Sequence, residues 1–139
     1  MIHDENKTVS MKASLMVGDL VRVFDKYPAR VERIGDTEVF LLGGDGVRWH
    51  VPYNFIRPIT ITPEILTRNG FAEAKHSKRP SFQFIDAYTY AGWWNGRLNL
   101  RYNTDPVKRP TNYILIDCRF VHQLQHAFGL AGIDKEITI

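Results

Sequence analysis

Two histidines stand four residues apart, His122 and His126, in the stretch VHQLQHAF. On a helix, positions i and i+4 share a face, so both imidazoles could reach one zinc ion. The helical zinc-hydrolase pattern also needs a glutamate directly after the first histidine, as general base. Here that residue is Gln123, which cannot ionise. A third ligand would have to come from His3, His50, His76 or a distant carboxylate. The competing reading is structural. Val121, Leu124, Phe128 and Ala131 recur at helical spacing and face a core. His122, Gln123, Gln125 and His126 then fall on the flanks and outer side, with the glutamines and His122 bonding to backbone where helix meets sheet. The expectation is no metal and no cofactor, with His122 and His126 as the weak candidates should the chain be a metal-dependent hydrolase.

Cys118, the single cysteine, precedes His122 by four residues. A nucleophilic cysteine needs an electropositive, partly open setting. In the strand pattern YILIDC, alternation puts Cys118 with Ile114 and Ile116 on a core face, where a lone cysteine is a small buried hydrophobe. Other catalytic signatures are missing: there is no G-x-x-x-x-G-K-[ST], no G-x-S-x-G and no C-x-x-C. The run Gly43-Gly44-Asp45-Gly46 joins two strands instead of opening a helix, so it reads as a turn and not as a phosphate cradle. Asp86 and Asp117 could make a carboxylate pair, but nothing in the sequence brings them together. No catalytic residue is assigned, and an enzyme is the less favoured reading.

Binding chemistry is better represented. Asn95-Gly96 between two apolar-aromatic runs is a hairpin signal, because a type I′ turn needs positive φ at both positions. A two-residue loop pairs Trp94 with Arg97, Trp93 with Leu98, Gly92 with Asn99, Ala91 with Leu100, Tyr90 with Arg101 and Thr89 with Tyr102. Paired residues share a face and faces alternate. One face then holds Trp93, Leu98, Ala91, Leu100 and Tyr102 and is the core side. The other holds Tyr88, Tyr90, Trp94, Arg97, Asn99 and Arg101. Rings beside guanidinium groups suit a docking surface, so Tyr88, Tyr90, Trp94, Arg97 and Arg101 are the candidate binding residues. Lys75, Lys78, Arg79, Lys108 and Arg109 would add charge if their loops lie nearby. The bland alternative is that arginine stems simply lie over exposed rings, or that the face is an internal interface.

The elements that must carry these residues follow from pattern. The 139 residues suit one compact unit or two small modules, with a real core and no need of disulfides. Seventeen aromatic residues, eight Phe, six Tyr and three Trp, lean toward strands. A net charge of +3 permits attraction to polyanions without demanding it. Residues 1–14 read as a flexible tail with no signal-peptide core. No apolar run reaches the ~18 residues of a membrane span, so a cytoplasmic protein away from membranes is expected. Residues 15–60 read as short alternating strands at 20–24, 29–34, 39–42, 47–51 and 56–59. Tyr27-Pro28, Gly35-Asp36 and the glycine run turn the chain, and one helical turn precedes the last strand. That matches an SH3-like small β-barrel with Val21, Val23, Val31, Val39, Leu41, Trp49 and Ile56 inward. Residues 61–139 read as an α+β module, a small antiparallel sheet with one or two packed helices. Thr62-Pro63-Glu64 opens a short helix that Asn69-Gly70 ends. A strand at 82–85, the hairpin, a strand at 113–118, a helix at 120–130 stopped by Gly132 and a last strand at 135–139 complete it.

The segments IRPITITPEILTRNGF and FVHQLQHAFGLAGIDKEITI resemble a family of small proteins from Bacteroidetes chromosomes and their phages. The family pattern has a β-rich start, a segment of the form I-x-P-I-x-L-T-x-E-x-L-x-x-x-G-F and a terminal Y-V-H-Q-L-Q-N-type helix. The likeness covers about residues 15–139. This chain departs from the pattern at Phe120, where tyrosine is usual, and at His126, where asparagine is common. The resemblance implies architecture and a phage or mobile-element setting, and it implies no activity. A non-catalytic binding module with a protein partner is therefore the leading expectation. The alternatives are a nucleic-acid-binding protein using the hairpin face, or the metal-dependent hydrolase.

Overall fold

A computed structural model describes residues 12–73, 81–84, 89–94, 96–103 and 113–139. The chain is α+β and divides into two compact units, the break falling between Ile59 and Thr60.

Unit 1 is an antiparallel meander: β1 Leu20–Val23, β2 Tyr27–Ile34, β3 Glu38–Gly43, β4 Arg48–Pro52, a 3-10 turn Tyr53–Phe55, and β5 Ile56–Pro58. β5 returns to β1, giving the order β4-β3-β2-β1-β5 in a curled half-barrel sheet. A register shift between Val31 and Arg33 adds a residue to β2, and such bulges sharpen strand bend and twist. Alternation sends Val21, Val23, Val31, Val39, Leu41 and Ile56 inward, and Leu15, Ala29, Val51 and Tyr53 complete the core. Trp49, opposite the buried Leu41, packs against this core as expected while staying partly exposed. The first turn differs from expectation. The chain reverses at Phe24-Asp25-Lys26, with positive φ at Phe24 (55°) and Asp25 (58°), and Tyr27-Pro28 already belongs to β2. Proline is tolerated there because Pro28 pairs with Arg22 of β1 and lies beyond the last β2–β3 pair, Ala29 with Gly43. At the β2–β3 turn a Cβ on Gly35 would sit 2.5 Å from the Glu38 carbonyl oxygen, so the backbones approach more closely than any other residue allows.

Unit 2 begins with α1, Pro63–Arg68. Thr62 Oγ1 accepts from the Ile65 amide at 3.2 Å, Pro63 fills the first helical position and Glu64 meets the positive end of the dipole. Gly70, at φ 91°, lets the chain leave the helix. A second meander follows: β6 Phe71–Glu73, β7 Ser81–Phe84, β8 Thr89–Trp94, β9 Arg97–Asn103 and β10 Tyr113–Cys118, in the order β10-β9-β8-β7-β6. Then comes α2, Val121–Ala131, closed by Gly132 in the left-handed region. Gln123 Oε1 accepts from the amides of Arg119 (2.7 Å) and Phe120 (3.0 Å), which satisfies donors at the helix start. Leu66, Phe71, Phe82, Leu98, Leu100, Cys118, Val121, Leu124, Ala127, Phe128 and Ile137 are buried. The Phe71 and Phe128 rings stack at 6.1 Å between centroids.

The last strand expected at 135–139 is not formed. Instead the buried Asn69 side chain takes the place of a strand neighbour. Its Oδ1 accepts from the Thr138 amide at 2.8 Å, and its Nδ2 donates to the Thr138 carbonyl at 2.6 Å and to the Ile65 carbonyl at 2.8 Å. One amide thus satisfies both backbone groups of Thr138, and Ile137 beside it is buried. No described helix is long and apolar enough to cross a membrane.

Candidate functional site

The β8–β9 hairpin has the register its turn implies: Trp94 opposes Arg97, Trp93 opposes Leu98, Gly92 opposes Asn99 and Tyr90 opposes Arg101. Leu98 and Leu100 are fully buried, Trp93 is half-buried, and Gly92, Arg97 and Asn99 are exposed. Tyr90, Trp94 and Arg101 hold register positions on the row of Arg97. Their side chains, together with Tyr88 and the loop cations Lys75, Lys78, Arg79, Lys108 and Arg109, lie outside the described residues. Asp117 of β10 opposes Asn99, is itself exposed, and its carboxylate lies 3.4 Å from the Arg97 guanidinium. The outward row therefore carries an acid among its arginines, which the sequence reading of the hairpin alone missed. Asp86 lies outside the described residues.

In α2, His122 is 2% exposed, not on the flank where the helical pattern puts it. The buried arc is wider than expected and runs through Val121, His122, Leu124, Ala127 and Phe128. The His122 ring is admitted because it stacks on Phe120 at 5.9 Å and meets His126 edge-on at 5.7 Å. Burial first, and the neighbouring His126 second, push the His122 pKa down to about 4. The imidazole is neutral at pH 7, as a core group must be. Among the described residues no group of three or more His, Cys, Asp or Glu could hold a metal ion. Cys118 is fully buried, and burial followed by the Asp117 charge pushes its thiol up to about 12. A thiol so held carries negligible thiolate at neutral pH and is no nucleophile.

A third surface, which the sequence reading did not single out, lies at one end of unit 1. Phe24 contacts Phe55 (ring centroids 5.3 Å, interplanar 65°) and Trp49 (5.7 Å, 70°), and Trp49 stacks on Tyr27 (5.6 Å, 25°). Phe24, Tyr27 and Phe55 are 47%, 43% and 43% exposed. The Phe24 amide donates to the Phe55 carbonyl at 2.9 Å, tying the first turn to the 3-10 turn. The Arg57 guanidinium donates to the carbonyls of Asn54 (2.8 Å) and Ile56 (3.0 Å) and lies 3.9 Å from Asp25. The Lys26 ammonium sits over the Tyr27 ring at 5.2 Å, and Asp45 accepts from the Val47 amide at 3.1 Å. A usable sequence signal existed. Phe24 and Phe55 are large apolar residues placed at turns, just outside the inward strand positions Val23 and Ile56. Large apolar residues sent outward at two turns are informative because exposed ring clusters are uncommon.

Comparisons with protein-family models, with curated proteins and with solved structures find no match to this chain.

Proposed function

We propose that this protein is a non-catalytic binding module that engages a protein partner, in the cytoplasm and in a phage or mobile-element setting. The reading takes unit 1 as an SH3-like barrel, supported by the β4-β3-β2-β1-β5 order and by the 3-10 turn before the last strand. The observation that carries the function is the chain of four rings at the end of that unit, of which Phe24, Tyr27 and Phe55 are exposed. Aromatic side chains held in water are the groups that dominate protein–protein binding energies.

Nucleic acid is the weaker fit. Binding through Tyr88, Tyr90, Trp94, Arg97 and Arg101 would rest on uncompensated cations, and Asp117 offsets Arg97 on that row. The hydrolase reading is weaker still, because His122 is buried and neutral and Cys118 is protonated.

The test is affinity capture from a host lysate on the full chain, in wild-type and Phe55→Ser forms. A protein retained by the first and lost by the second is the expected result. Retention that the substitution does not alter, or capture of nucleic acid that falls steeply with salt, would overturn the reading.

A further inference from the structure

Asn69 and Gly70 stand side by side where α1 ends, and the pair is reactive as well as a helix stop. Glycine puts no Cβ in the way when its nitrogen approaches the side-chain amide before it, so Asn-Gly is the dipeptide in which asparagine closes most readily on the backbone. In that step the Gly70 nitrogen gives its proton to solvent base and bonds to Asn69 Cγ. The Cγ–Nδ2 bond breaks, and Nδ2 takes up a proton and leaves as ammonia. Water then opens the succinimide ring at one carbonyl to give aspartate, or at the other to give isoaspartate. Nothing is oxidised or reduced, and water is the only co-reactant.

The fold keeps each participant out of that reaction. The Asn69 backbone, at φ −101° and ψ 19°, turns the Gly70 N–H back toward the helix, where it donates to the Thr67 carbonyl at 3.3 Å. The amide that would be attacked is fixed in place. Its Oδ1 accepts from the Thr138 amide at 2.8 Å, and its Nδ2 donates to the carbonyls of Thr138 (2.6 Å) and Ile65 (2.8 Å). The Thr138 hydroxyl adds a longer bond to Oδ1, at 3.5 Å. Asn69 is 1% exposed, so base and water are kept away as well. Most of this restraint therefore comes from Thr138, which belongs to no helix or strand. Segments with little regular backbone bonding are the first to open locally.

We propose that Asn69 is a deamidation site latched by residues 135–139. While Thr138 is clasped the amide is inert; once the segment lifts away, the Gly70 nitrogen attacks it. The change runs one way. A carboxylate has no hydrogen to give, so the Ile65 and Thr138 carbonyls that Nδ2 served would face an oxygen anion. Re-docking is then opposed, Ile137 stays uncovered, and a brief opening becomes a permanent mark on the chain. The inference concerns unit 2 alone and stands whether or not the rings of unit 1 bind a partner.

The test is peptide mass mapping of the full chain held in mildly alkaline buffer, with the synthetic peptide EILTRNGFAE as the unlatched reference. Asn69 in the wild-type chain should convert about a hundredfold more slowly than in the peptide, or slower still. Ile137→Ser loosens the segment without altering the Asn69-Gly70 pair, and should speed conversion about tenfold or more. Leu100→Val weakens β9 and leaves the clasp alone, and should change the rate far less. Amide spectra would show that both variants keep the sheet. Asn69→Asp installs one of the products directly, and should lose hydrogen-exchange protection at Thr138 while β8–β10 keep theirs. Conversion of the wild-type chain at the peptide's rate, equal rates in wild type and Ile137→Ser, equal acceleration by Ile137→Ser and Leu100→Val, or a Thr138 amide still protected in Asn69→Asp would each overturn the proposal.

Discussion

The two units fill their cores with different mixtures of groups. Each holds a five-stranded antiparallel sheet. Unit 1 fills its interior mostly with aliphatic groups and Tyr53, buries one carboxylate, Asp19, whose Oδ2 accepts from the Met16 amide at 2.8 Å, and leaves its rings at the end. Unit 2 buries an amide, Asn69, and an imidazole, His122, among its aliphatic and phenyl groups. Apolar packing is tolerant of solvent conditions and intolerant of lost volume. Buried polar groups are the reverse, because each is satisfied by a few specific partners or by one protonation state. The difference teaches where each unit is vulnerable.

The largest effect is expected from volume loss in unit 1. Leu41→Ala removes a fully buried side chain and should cost about 3 kcal/mol, read as a lower urea midpoint when Trp49 fluorescence is followed in a chain whose Trp93 and Trp94 are replaced by Phe. A loss below about 1 kcal/mol would mean that the half-barrel can collapse around the gap, and the contrast between the units would weaken. Asn69→Ala should come next, at about 2 kcal/mol. It leaves the Thr138 amide and carbonyl without their partner, and hydrogen exchange at Thr138 should speed up while β1–β5 stay unchanged. Leucine at the same position should not rescue it.

Acid gives the third test. The His122 pKa is about 4 in the folded protein and near 6.5 when unfolded, so the unfolded state binds more protons between those values. The contribution is complete above about pH 6.5 and is lost as pH falls toward 4, on the order of 3 kcal/mol. Unit 2 should weaken over that window, and His122→Gln should flatten the profile. An unchanged slope in the variant would assign the acid sensitivity elsewhere. The smallest effect belongs to Phe24→Asn. Relief of the left-handed backbone and loss of two ring contacts oppose each other, so stability should move by less than about 1 kcal/mol in thermal unfolding.

What the sequence disclosed divides along the same line. Local periodicity was readable: Val21, Val23, Val31, Val39, Leu41 and Ile56 are inward because strand alternation leaves them no other side. The Thr62-Pro63 start of α1 and the hairpin register were readable for the same local reason. The turn at Phe24-Asp25 was not, since phenylalanine rarely adopts positive φ and the more conspicuous Tyr27-Pro28 drew the turn to the wrong place. The fate of residues 135–139 was beyond periodicity, because an alternating pattern cannot tell a strand from a segment held by one distant amide. Asn69 read as a helix stop, which it is, and its second role depends on a residue 69 positions away. His122 was misjudged because a polar residue next to an apolar arc is ordinarily outside it, and the stacking on Phe120 reverses that preference. The candidate surface at the end of unit 1 was half readable, from the large apolar residues Phe24 and Phe55 at two turns, while its dependence on a strained turn was not.

That clasp between Asn69 and Thr138 also sets an order of events during synthesis. Unit 1 has every residue it needs once Ile59 has left the ribosome, but α1 and β6 must wait for nearly 70 more residues before their buried amide finds its partner. At about 5–20 residues per second that interval lasts several seconds. For that time the nascent chain carries a complete first unit ahead of a second one whose Phe71 and Leu66 still await their final packing.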